Sequence, residues 1–250
     1  MNGVDKKKPK VFIVMTAYNV AKTIERTYRA IPSGSYDEII VVDDGSSDNT
    51  AEVAWNLGLR VVSHEKNKGY GATQKTLFEH ALKFGADIVV LLHPDYQYDP
   101  GAVPAIVKPL AEDKADVVYA SRMLVEGTAK QGGMPLWKRM GNKALTGFFN
   151  TMLSIHITDA ATGYIAYSRK VLESIPWSYN DDRYCFDEQV IIQIAKKGFR
   201  IAEIPIPSNY EDKSTSINFK KAVKYGARLF GEMMIYKLNK AGLLETKRFS

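Results

Sequence analysis

Short apolar runs alternate with amphipathic stretches through the first half of the chain. Residues 11–16, 39–42, 60–63, 88–92 and 116–120 have the length and continuity of buried strands. Residues 21–30, 47–57, 72–84 and 101–112 between them carry helical periodicity. Ser47 or Asp48 is placed to cap the second helix, and Gly85 stops the third. Continuous apolar strands between amphipathic helices predict a parallel sheet covered on both faces. In such sheets ligands bind beyond the carboxyl ends of the strands.

The alternation then breaks. Residues 126–135 are Gly-rich and polar and read as a loop, 138–153 as a helix, and 163–167 as a strand. Residues 186–197 are helical, 200–206 form a strand, and 208–216 are a polar loop. Residues 219–244 hold the longest helical pattern. Its stripe runs through Phe219, Ala222, Val223, Gly226, Leu229, Phe230, Met233 and Met234, with Lys220, Lys221, Lys224 and Arg228 mostly off it. The organisation expected is one catalytic unit over 1–210, followed by a polar loop and a basic amphipathic helix over 211–250.

Composition adds three points. From Lys213 to the end, nine Lys/Arg stand against Glu232 and Glu245, enough to account for the net charge of +6. A basic end of this kind suits anionic lipid or phosphate, and no nucleic-acid partner is expected. The single cysteine, Cys185, excludes an internal disulfide. A polar start and the lack of any apolar run of 18 residues predict a cytoplasmic chain without a membrane span, peripheral at the inner face of the membrane.

Candidate chemistry sits at two predicted strand ends. Asp43-Asp44-Gly45-Ser46 follows one run and His93-Pro94-Asp95-Tyr96-Gln97 another. An acidic pair can hold a nucleotide, and an oxygen cluster can hold a divalent metal. Together they suit a transferase acting on an activated nucleoside-diphosphate donor. When the donor breaks, negative charge grows on its diphosphate, and a cation held by carboxylates absorbs it.

These segments carry a resemblance. Thr16-Ala17-Tyr18-Asn19, then Val41 to Asp48, then Asn67-Lys68-Gly69 resemble the nucleotide-binding signature of family 2 glycosyltransferases. His93 to Pro100 stands where that family has its Asp-x-Asp metal motif. Ala120-Ser121-Arg122, Arg139-Met140-Gly141-Asn142 and Asp159 to Gly163-Tyr164 are similar to the dolichyl- or polyprenyl-phosphate mannosyl- and glucosyltransferases within it. The resemblance implies a GT-A type α/β fold, a mostly parallel sheet flanked by helices. It also implies inverting transfer of a hexose from a UDP- or GDP-sugar.

By the same resemblance Thr16, Ala17, Tyr18, Asn19, Asp43, Asp44, Gly45, Lys68 and Gly69 line the nucleotide. Asp95 and Gln97, with His93, face Mg²⁺ or Mn²⁺ and the diphosphate. Arg122, Arg139 and Asp159 attend the acceptor or its phosphate, and Asp187 is a candidate base for a hydroxyl acceptor; Lys213, outside the matching motifs, is a further candidate phosphate contact. Two departures from the family pattern stand out. His93 replaces the first metal Asp, and imidazole suits softer ions better than Mg²⁺. The loop 209–216 lacks the Arg and Gly that lipid-phosphate transferases carry there. The first favours a nucleotide-sugar binder without catalysis as an alternative. The second favours a saccharide or small-molecule hydroxyl acceptor.

Overall fold

The computed structural model describes residues 8–183, 185–207 and 219–249. Its strands are β1 (Val11–Ala17), β2 (Glu38–Asp43), β3 (Arg60–Ser63), β4 (Ile88–Leu91), β5 (Val117–Ser121), β6 (Ile165–Ser168) and β7 (Ile201–Pro205). They form one sheet in the order β3-β2-β1-β4-β6-β5-β7. All pairs are parallel except those of β6, which runs antiparallel to both β4 and β5. The sheet is thus mostly parallel, as expected, with one reversal that periodicity alone does not encode. The chain leaves β5 and returns into β6 beside it. Ala120 N–H donates to Tyr164 O at 2.9 Å, and Thr162 Oγ1 donates to Ala120 O at 2.7 Å.

Strand side chains alternate between two apolar layers. Ile13, Met15, Val41 and Val90 pack with Ile24, Ala54, Val103 and Ile106. These come from α1 (Ile24–Arg29), α2 (Thr50–Asn56) and α4 (Val103–Ala111). Phe12, Val14, Val89 and Leu91 pack with Leu77 and Phe78 of α3 (Tyr70–Lys83) and with Val190 and Ile194 of α8 (Phe186–Lys197). Leu229, Met233 and Tyr236 of α9 (Phe219–Lys240) belong to this second layer. So does Phe149 of α6 (Leu136–Leu153). Among the described residues no helix is long and apolar enough to cross a membrane.

Several helices depart from expectation for local reasons. α1 starts at Ile24 because side chains from the next loop hold the segment before it. Val20 N–H donates to Thr50 Oγ1 and Ala21 N–H to Asp48 Oδ2. Neither Ser47 nor Asp48 caps α2. Asp48 instead closes a two-residue turn onto Thr50 N–H at 3.1 Å, and the helix begins after Asn49. The predicted loop 126–135 contains a single helical turn, α5 (Thr128–Gln131), and a short α7 (Arg169–Ser174) follows β6 without a sequence signal. On α9 the expected stripe is split. Leu229 and Met233 are buried, whereas Phe230 and Met234 face solvent. The polar loop 208–216 lies outside the described residues.

Candidate active site

At the carboxyl ends of the strands, the loops after β1, β2 and β3 and the start of α3 build a pocket of about 220 Å³. Thr16, Ala17, Tyr18, Asp44 and Gly69 line it, together with Asn67, Tyr70, Thr73 and Arg183. Asp43 and Asp44, adjacent in sequence, have separate surroundings. Asp43 Oδ2 accepts the Ser46 N–H at 3.3 Å, and Oδ1 accepts the Ser46 hydroxyl, so its carboxylate shapes the turn. Asp44 is buried. Its Oδ1 meets His64 Nδ1 at 2.7 Å and accepts Lys68 N–H at 2.9 Å, and its Oδ2 accepts Gly69 N–H at 2.9 Å. Asp44 therefore clamps the 64–69 loop against β2. The Lys68 side chain points out to solvent.

Asn19 has a left-handed backbone, with φ of 54°. Its N–H donates to Ser46 Oγ and its side-chain oxygen accepts from Ser47 N–H, each at 2.9 Å. Asn19 thus joins the first loop to the second. Gly45 turns at φ of 70° beneath the Lys66–Asn67 backbone. Gly69 has φ of 107°, and a Cβ there would stand 2.5 Å from the Asp182 carbonyl oxygen. Only glycine combines that backbone with that approach. The contact brings the 181–183 loop, and Arg183 with it, over the pocket.

At the end of β4, His93 is tied on both sides. Nδ1 lies 3.2 Å from Thr16 Oγ1 and Nε2 lies 3.2 Å from Tyr70 OH. Tyr70 OH in turn donates to Asp187 Oδ2 at 2.9 Å. With that direction set, the chain is satisfied by a His93 proton on Nε2 and the Thr16 hydroxyl donating to Nδ1. Both ring nitrogens are then occupied, and neither offers a lone pair to a cation. Gly163 closes the other flank, where a Cβ would stand 2.4 Å from Nε2. Asp95 is half-buried, and its Oδ1 accepts the Gln97 N–H at 3.0 Å in a tight turn with Tyr96 at φ of 60°. Among the described residues no group of three or more His, Cys, Asp or Glu forms a metal cage. A single carboxylate fits Mg²⁺ or Mn²⁺ only where the donor's phosphates and water supply the other ligands.

Asp187 lies in the first turn of α8, behind the pocket residue Tyr70. Gln74 Nε2 donates to its Oδ1 at 2.5 Å, and burial raises its carboxyl above the usual aspartate range. The neighbouring Glu188 is buried more fully. Burial, then the Asp187 charge, push it well above the ordinary glutamate value, and Oε2 has no partner among the described residues. An acid with a raised folded pKa binds more protons folded than unfolded, so stability falls as pH climbs from the ordinary glutamate range to the raised value. Glu188→Gln is expected to raise the melting temperature, and to raise it more at pH 8 than at pH 5. Each kcal/mol corresponds to roughly 2–4 °C in a chain of this size. A pH-independent or negative change would refute this account of Glu188.

A second groove of about 430 Å³ lies between the 122–130 segment and α6. Arg122 is buried at its base and forks onto Asp159, with Nε–Oδ2 at 2.7 Å and Nη2–Oδ1 at 2.9 Å. Arg122 N–H and Asn142 Nδ2 also donate to Asp159. Burial alone would raise the Asp159 carboxyl. The Arg122 charge and these hydrogen bonds outweigh it and hold the carboxyl below its ordinary range. Arg139 lines the same groove, and its buried Nε has no partner among the described residues. Tyr98 connects the two halves of the site. Its ring lies 6.1 Å from that of His93, and the Arg122 guanidinium lies 5.5 Å from it. Lys213 lies outside the described residues.

Sequence reasoning missed Tyr70, Gln74, Arg183 and His64, which no local motif marks. Asn142 sits inside a quoted motif, but no role was assigned to it.

Residues 12–175 match the family described as Glycosyl transferase family 2. The chain is 27% identical to a UDP-N-acetylglucosamine–dolichyl-phosphate N-acetylglucosaminyltransferase of Methanococcus voltae, over 92% of this chain and 97% of that one. It is 30% identical to polyprenol monophosphomannose synthase of Mycolicibacterium smegmatis, over 79% and 76%. Among solved structures it is similar to glucosyl-3-phosphoglycerate synthase of Mycobacterium tuberculosis. That match has a TM-score of 0.67 and 22% identity over 95% of this chain and 82% of that one. The mycobacterial enzyme has been crystallised with Mn²⁺ and UDP, and with Mg²⁺ and UDP. The likeness confirms the GT-A type fold, and the chain belongs to glycosyl transferase family 2.

Proposed function

We propose that this glycosyltransferase moves a hexose from a UDP-sugar to a polyprenyl or dolichyl phosphate, with inversion. The observation that carries the reading is the groove beside Arg122. It joins Arg139, whose buried Nε has no partner among the described residues, and Lys143 to Leu124, Val125, Leu136 and Met140. Cations for a phosphate beside an apolar trough for an isoprenoid are what a lipid phosphate requires. The lipid-phosphate acceptors named for the two relatives support the same class. In this reading Arg122, bound to Asp159, anchors the groove, and Arg139 receives the phosphate. The 220 Å³ pocket holds the nucleotide, with Asp44 setting its loop and Tyr18 and Arg183 at its rim.

The acceptor arrives as an anion, so its oxygen can attack the anomeric carbon without a base. The bond to the diphosphate breaks, and the nucleoside diphosphate leaves carrying the electron pair. Asp95, with Gln97 beside it, would hold a divalent metal, which supplies charge neutralisation at the leaving diphosphate. His93 serves instead to position Thr16 and Tyr70.

One observation favours a hydroxyl acceptor. Asp187, bonded to the pocket residue Tyr70, has a raised pKa, which suits a general base. Asp187→Asn separates the two readings. With a lipid phosphate the variant is expected to keep turnover within about tenfold of wild type. With a hydroxyl acceptor a lost base removes roughly 10²–10⁴-fold. Radiolabelled transfer to polyprenyl phosphate is the direct test, and no turnover with any lipid phosphate would sink the proposal.

A further inference from the structure

We propose that the outward face of α6, with the 124–130 segment beside it, docks on an anionic bilayer. Helical phase makes the face explicit. Asn142, Thr146 and Phe149 are buried, which turns Leu136, Trp137 and Met140 away from the core. Leu136 is 61% exposed and Met140 64%, and Leu124, Val125 and Trp137 are also exposed. A contiguous group of large apolar side chains at the surface marks a site of association. Lys130 and Lys143 are exposed around it, and Lys138 and Arg139 are half-buried there, with Glu126 as the opposing carboxylate. Lys138 Nζ lies 5.5 Å from the Trp137 ring.

An apolar centre ringed by cations matches the headgroup boundary of a membrane, where Trp favours the interface and each Lys or Arg adds attraction to anionic lipid. A second copy of the chain fits less well, since a two-fold interface would bring the same four cations against one another. The face continues onto α9. Trp137, Gly141, Ala144 and Phe148 share one side of α6, and the Phe148 ring lies 6.0 Å from Phe230. Phe230, Met234 and Leu238, four residues apart on α9, are all exposed. The 430 Å³ groove shares Leu136 and Met140 with this face, so docking would open it toward the bilayer. In that respect the inference rests on the lipid-acceptor reading, whereas its test does not.

The test is flotation of the full chain with phosphatidylcholine vesicles, with and without 30 mol% phosphatidylglycerol (about a third anionic lipid), and no polyprenyl phosphate. Wild type is expected to float with the anionic vesicles, less so with the neutral ones, and progressively less as salt is added. Trp137→Glu/Met140→Glu is expected to bind roughly tenfold more weakly or worse, while the UDP-induced thermal shift stays intact. Should that variant melt early, Lys130→Gln/Lys143→Gln probes the same face by charge alone, with loss of the preference for anionic vesicles expected. Wild type remaining at the bottom of the gradient overturns the proposal. So does flotation of the Glu variant equal to wild type, and so does wild-type binding indifferent to phosphatidylglycerol. Since no acceptor is present, failure here is a separate result from failure of lipid-phosphate transfer.

Discussion

Asp159→Ala is expected to destabilise the protein by roughly 3–5 kcal/mol, because it removes the carboxylate onto which a buried guanidinium forks. Asp159 is fully buried and receives Arg122 through Nε, Nη2 and its backbone N–H, and Asn142 through its side-chain amide. Removing the carboxylate takes the acceptor away from four donor groups, of which Arg122 Nη2 keeps the Ala161 carbonyl at 2.9 Å. Urea titration would show the midpoint falling with little change in slope. A loss below about 1 kcal/mol, the scale of an exposed ion pair, would disprove the anchoring role. Replacing both partners with apolar residues should cost less than the single change, since no uncompensated charge remains. The pair also sets an acid limit. The Asp159 pKa is depressed in the fold, so its contribution is complete above the ordinary aspartate range and is lost as pH falls through the lowered value.

Asp95→Ala is expected to remove turnover by roughly 10²–10³-fold while leaving the fold intact. The carboxylate is half-buried and holds the Gln97 N–H, a bond worth about 1 kcal/mol. Its larger role in the proposed reaction is to hold the cation at the leaving diphosphate. A thermal-shift titration with UDP separates the two roles. In wild type, chelator should reduce the UDP-induced shift, and in the variant the shift should be small and indifferent to Mg²⁺, Mn²⁺ or chelator. A metal-dependent shift of wild-type size in Asp95→Ala would move the cation site elsewhere. His93 is the natural comparison, because an imidazole bonded through both nitrogens should be replaceable without changing metal dependence.

Much of the sheet could be read from the chain because buried strands of a parallel sheet are nearly pure apolar runs. β3 has the bounds expected, and β1, β2 and β4 differ from expectation by a residue or two. The direction of β6 was not legible, since periodicity says which residues are buried but not which way a strand runs. The same distinction applies to the site. Asp43-Asp44 and Asp95 are visible as acidic residues after strands. Nothing local reveals that Asp44 is saturated by residues 20 to 25 positions away. The His93 link to Thr16 spans 77 residues, and the Tyr70 link to Asp187 spans 117. The helix starts of α1 and α2 were displaced by hydrogen bonds exchanged between the two loops, which override a local capping preference.

The reversal of β6 has a consequence for how this scaffold can change. Residues 122–164 begin at the end of β5 and finish at the start of β6, and the two ends are stitched together through Ala120, Thr162 and Tyr164. The stretch is therefore a cassette with its terminals side by side. It carries Arg122, Arg139 and the whole outer groove, while the 220 Å³ pocket is built elsewhere, from the end of β1, the loops after β1, β2 and β3, α3 and Arg183. Exchanging this cassette would replace the outer groove and leave the pocket residues in place, provided that its last residues kept Gly163, which packs against His93 and donates its N–H to Tyr98.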